Sequence, residues 1–174
     1  MRGDLSVIGQ QTTRKVRIAA SATRYEVGEP IHNVGTQSSG ASTSNTFVLA
    51  AADTPVIGTH RLGGVAISRC LPLSTGTIVA HTAIVARPIA NGGFIRGKGE
   101  TAANIDTDAE LLGIIGDVTL IDYNATGGTD GGELYTIKDV ASADTSGLEI
   151  ITGNIAKGTL DVIVDPRAYR HDVV

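Results

Sequence analysis

Apolar residues in this chain recur in short runs that end at Gly, Asn, Asp or Pro, a spacing that predicts many brief strands. The runs are 46–50, 64–68, 77–86, 93–96, 111–115, 118–122, 134–137, 148–151 and 159–164. The last of them is closed by Pro166, a residue that a strand tolerates at its end. Ahead of these runs the opening is polar, apart from the alternation Lys15-Val16-Arg17-Ile18, which predicts an edge strand. Gly28 and Pro30 then mark a turn before a further strand-like entry at Ile31. Helix signals are confined to residues 101–113, where Asp106 or Thr107 can cap a turn leading into Ala109, Leu111 and Leu112. Gly113 and Gly116 stop anything longer. The pattern predicts an all-β fold, a small barrel or sandwich with at most one short helix. Residues 1–24 read as an extended basic N-terminal arm and residues 25–174 as the β-rich domain.

Composition narrows this picture. A chain of 174 residues makes one domain and buries roughly 70% of the surface its unfolded form exposes. It has no Trp, two Phe and four Tyr, so its core must be built from Ala, Val, Ile and Leu, which contribute less area per side chain. Such a chain gains stability by associating with copies of itself or with a partner. The 22 glycines and the abundant Ser and Thr favour turns and strands over helices. The Ser/Thr/Gly stretch at 35–45 offers nothing to bury and is expected to be a mobile loop.

Charge is unevenly placed. The net charge is −4, yet residues 1–25 carry Arg2, Arg14, Lys15, Arg17 and Arg24 against Asp4, a balance of +4. The rest has nine bases against 17 acids, a balance of −8. A basic segment on an acidic body points to docking on an acidic protein surface through Arg14, Lys15, Arg17 and Arg24. The whole-chain balance lacks the basic footprint of nucleic-acid binding. No run approaches the roughly 20 apolar residues of a membrane helix, and the opening lacks a signal-peptide pattern. The single Cys70 forms no internal disulfide, in keeping with the reducing cytoplasm.

Candidate chemistry is sparse. His32, His60, His81 and His171 stand in no metal-binding spacing, and His81 lies within a strand-like run. Cys70, followed by Leu71-Pro72, reads as a small buried hydrophobe rather than a nucleophile. The Gly97-Lys98-Gly99-Glu100-Thr101-Ala102 run matches a phosphate-cradling turn only superficially, because no β/α alternation surrounds it; a loop tip is expected. From Asp122 to Glu133, oxygen-bearing side chains recur as in a calcium loop, at Asp122, Asn124, Thr126, Asp130 and Glu133, with a glycine at the sixth position. Strand-like flanks and Thr129 at the eighth position depart from that motif, leaving a glycine-rich hairpin as the other reading. No nucleophile elbow is present, and neither an enzymatic activity nor a cofactor is expected.

The segment Tyr25-Glu26-Val27-Gly28-Glu29-Pro30, the run from Thr46 through Thr59 and Leu62-Gly63-Gly64-Val65-Ala66-Ile67 resemble the decoration, or cement, proteins of tailed-bacteriophage capsids. The resemblance spans about half of the chain and is compositional, and tail or fibre components would share much of it. It implies a small β-barrel or sandwich that clamps neighbouring subunits of the major capsid protein without catalysing a reaction. It also implies a homo-oligomer, trimer before dimer, on the virion surface after assembly in the host cytoplasm. The alternative is a cytosolic β-domain that binds calcium or a small ligand.

Overall fold

The computed structural model describes residues 5–19, 25–34, 46–47, 55, 60–69, 80–123, 135–139 and 147–169. The fold is all-β, with antiparallel pairing almost throughout and, among the described residues, one short α-helix and no closed barrel. Its organising element is a long strand, β5 (His81–Lys98), which pairs along one edge with β1 (Ser6–Ile18). The other edge of β5 is shared between two strands. Val85 and Ala86 pair with β4 (His60–Ala66), whereas Ile95 to Lys98 pair with β10 (Thr159–Val164). Two wings grow from there. β4 continues to β2 (Pro30–Val34), and β10 continues through β9 (Leu148–Asn154) to β6 (Val118–Thr119). The short β3 (Thr46–Phe47) runs parallel to the end of β1, and β7 (Ile121–Tyr123) pairs with β8 (Tyr135–Ile137) as a separate hairpin.

Two apolar clusters pack against the sheet. Leu5, Val65, Ile95, Ile105, Ile121, Ile137, Leu148, Ile150, Leu160 and Val162, with Tyr135, fill the space between the β9–β10 wing and the β7–β8 hairpin. Val16, Ile18, Tyr25, Ile31, Phe47, Ala66, Ala83 and Val85 pack beneath the other wing. Burial of a Val, Leu or Ile side chain contributes about 1.5–3 kcal/mol, so these clusters supply most of the driving force. Two devices settle local geometry. Asn154 accepts a hydrogen bond from Lys157 N, and Gly158 at φ +58° ends the tight turn between β9 and β10. Across β5 and β10, Arg96 holds the buried Asp161 through two hydrogen bonds of 2.7 Å, satisfying a charge inside the sheet.

Several expectations change. The N-terminal segment is an integral strand over Ser6–Ile18, and Leu5, Val16 and Ile18 are buried, so over this stretch it belongs to the sheet. Runs 77–86 and 93–96 are not separate strands where the structure describes them, because β5 continues through Pro88 and Gly92-Gly93. A four-residue stretch of β5, Ile89 to Gly92, opposes only Gln10 there, between the pairs Gln11–Pro88 and Gly9–Gly93. Run 111–115 is not a strand; it falls in α1 (Asp108–Ile114) and the turn after it, capped by Thr107. Run 118–122 is split between β6 and β7. Gly97 and Lys98 end β5 and Gly99 bridges to Ile137, so the expected loop tip is strand; a side chain at Gly97 would lie 2.5 Å from Leu5 Cδ2. The 35–45 stretch lies outside the described residues.

Candidate protein-binding surface on the β1–β5 strand pair

Strand alternation sorts the basic residues of β1 onto two faces. Val16 and Ile18 point into the core opposite Ala83 and His81, which places Arg14, opposite Val85, on the same side. Lys15 and Arg17, opposite Ile84 and Thr82, stand on the other, exposed side. Arg24 lies outside the described residues. The four expected contact residues are thus not one cluster; Lys15 and Arg17 share one face, and Arg14, also exposed, stands on the other.

The outer face combines charge with apolar surface. Ile84 is 38% exposed and Ile67 is 47% exposed, too much for side chains that belong to a core. Ile67 N donates to Ile84 O at 2.9 Å and continues the register of Val65 and Ala86, so Lys15, Ile84 and Ile67 form one row across three chain segments. Val27, also exposed, stands in the turn that Gly28 N ties to Ala66 O. A small apolar centre edged by Lys15 and Arg17 has the make-up of a protein-binding patch. Beside it, no strand among the described residues pairs with the outer edge of β1 before Arg17 meets β3. That edge presents main-chain donors and acceptors to which an extended segment can add.

On the core side, Arg14 faces toward two further arginines at the rim of the second cluster. The Arg61 guanidinium lies 5.1 Å from the centre of the Phe47 ring and that of Arg87 lies 4.8 Å from the centre of the Tyr169 ring. Arg87 Nε also donates to the carbonyl oxygen of Gly63. Burial lowers the pKa of both arginines, and raises that of Tyr169 against the opposing pull of Arg87. Sequence reading missed Arg61, Arg87, Tyr169, Ile67 and Ile84. The available signal was phase: Arg87 follows Ala83 and Val85 at period two, an arginine in a core-facing position.

The remaining candidates are scattered. Asp122 sits in β7, largely buried, with its carboxylate 3.3 Å from Lys138 Nζ. The other candidate calcium ligands, Asn124, Thr126, Asp130 and Glu133, lie outside the described residues, as do Cys70 and His171. Among the described residues no group of three or more His, Cys, Asp or Glu side chains converges on a metal position. His32 is buried in β2, and His81 begins β5 with its Nε2 3.0 Å from the Tyr25 hydroxyl and its ring stacked on that of Tyr25. No helix among the described residues is long and apolar enough to cross a membrane. Comparison with protein-family models, curated proteins and solved structures finds no match to this chain.

Proposed function

We propose that this protein is an accessory structural protein that binds an acidic protein surface, the outside of a phage capsid, and stabilises it by bridging neighbouring copies of the major capsid protein. The observation that carries the reading is the outer row of β1 and β5, where Lys15 and Arg17 flank exposed Ile84 and Ile67 on a chain that is otherwise acidic. Apolar contact there supplies affinity, and the two cations select an acidic partner and speed its encounter. The open edge of β1 adds main-chain hydrogen bonds, and repetition around a symmetric lattice, as a trimer or dimer of this chain would provide, multiplies weak contacts. No reaction is part of this function; the protein acts by holding subunits together. The resemblance of residues 25–30, 46–59 and 62–67 to capsid decoration proteins supports the choice of partner.

The test is co-sedimentation with undecorated capsids. The double variant Lys15→Glu, Arg17→Glu keeps both side chains on the exposed face, so folding is preserved while the sign of the patch is reversed. Binding is expected to weaken about tenfold or more, and binding of the parent protein to fall steeply with added salt. Equal retention of the folded variant and the parent on capsids would overturn the proposal.

A further inference from the structure

Arg87 stands on the core-facing side of β5, partly withdrawn from water, with Tyr169 against its guanidinium. Among the described residues no carboxylate pairs with it. Among the described residues the charged or titratable groups acting on it are Tyr169, Arg61 and Arg14, so two of these three are further cations. Register places Arg14 close by: Thr12 is opposite Arg87 and Arg14 opposite Val85, making Arg14 the diagonal neighbour of Arg87 on the same face. One nitrogen of Arg87 is engaged by Gly63 O, which fixes the fork and leaves its terminal nitrogens for another acceptor. A second, independent observation comes from Tyr169. Its hydroxyl is buried and has no hydrogen-bond partner, a state that ordinarily costs about 1–3 kcal/mol.

A half-buried cation with a second, exposed cation diagonal to it, packed on a tyrosine whose hydroxyl lacks an acceptor, is what a bound anion relieves. We propose that Arg87 and Arg14, with Tyr169 packed beneath Arg87, form a binding site for an oxyanion, a carboxylate or a phosphate group. Arg61 keeps its place over Phe47 and adds positive potential. The site is on the opposite side of the sheet from Lys15 and Arg17, so it stands independently of the capsid reading.

The full-length protein would be titrated with inorganic phosphate and, separately, with acetate, following the Arg87 Nε–Hε resonance, assigned by its loss in Arg87→Lys, together with neighbouring backbone amides. Sodium chloride at matched ionic strength is the control. A saturable shift is expected, its midpoint raised about tenfold by Arg14→Gln, as the loss of one charge-assisted hydrogen bond requires. Saturation by phosphate alone identifies a phosphate site, and saturation by acetate a carboxylate site; either supports the proposal. A response that sodium chloride reproduces, or an unchanged midpoint in the folded Arg14→Gln variant, would overturn it.

Discussion

Gly93 marks the closest approach of β1 and β5. A Cβ added there would lie 1.9 Å from Gln10 O and 2.8 Å from Ile89 N, both backbone atoms that cannot swing aside. Gly93→Ala must therefore part the two strands beside their irregular register, and it is expected to destabilise the protein by more than about 3 kcal/mol. Gly113 offers the opposite case. It lies in α1 with nothing within 4 Å of an added Cβ, so Gly113→Ala is expected to stabilise by about 0.5–1 kcal/mol through helix propensity alone. Urea unfolding of the two variants beside the parent checks both signs. In sequence the two glycines look alike, each beside apolar residues in a short run. What separates them is the backbone of a partner about 80 residues away, and no local pattern encodes that.

At the scale of elements, α1 shows which signals outrank hydrophobic periodicity. Residues 111–115 are apolar enough to read as a strand, yet Thr107 and Glu110 close a capping box: Glu110 N donates to Thr107 Oγ1, and Thr107 N donates to the Glu110 carboxylate at 3.1 Å. The Thr107 hydroxyl, hydrogen-bonded to Glu110 at 2.8 Å, and then Asp106 hold the Glu110 carboxyl below its ordinary pKa. Glu110 in turn pushes Asp106 up. Asp106 is therefore expected to titrate above the usual Asp value near 3.9 and Glu110 below the usual Glu value near 4.3. Because the folded pKa of Glu110 is depressed, its stabilisation is present above about pH 4.3 and is lost as pH falls through the folded value. Asp106 has the opposite sign, its contribution fading as pH rises through its raised value. Side-chain carboxyl titration by NMR checks both directions, and Thr107→Ala should move Glu110 back toward its usual value; a Glu110 titrating at or above the usual Glu value in the parent would mean that the box does not form. The Thr-x-x-Glu signature was legible in sequence. β1 was less so: between Gly9 and Lys15 it has no buried residue, so neither face leaves an alternation to read beyond Val16 and Ile18. Strand β10, by contrast, has the bounds that its apolar run and Pro166 predict.

Among the described residues two clusters share one strand pair, and that arrangement decides what the N-terminal segment is for. β5 contributes Ile95 to the first cluster and Ala83 and Val85 to the second; β1, with the adjoining Leu5, supplies Leu5 to the first and Val16 and Ile18 to the second. These three side chains are 3%, 4% and 1% exposed, and their burial is worth about 5–8 kcal/mol together. Net stabilities of single domains are themselves about 5–15 kcal/mol, before counting the ladder that β5 would lose along one entire edge. The same basic residues that read as a tail in sequence are thus mounted on a strand the fold cannot spare. Arg14, Lys15 and Arg17 are held at fixed positions, and a partner that meets them avoids much of the ordering cost that a flexible arm would impose. Removal of residues 1–24 is accordingly expected to abolish cooperative unfolding and to expose apolar surface to dye binding. Lys15→Glu with Arg17→Glu should leave the unfolding midpoint nearly unchanged. A truncated chain that still unfolds in one sharp transition near the parent midpoint would show that β5 and the two clusters are self-sufficient and that β1 is an attachment, not a structural member.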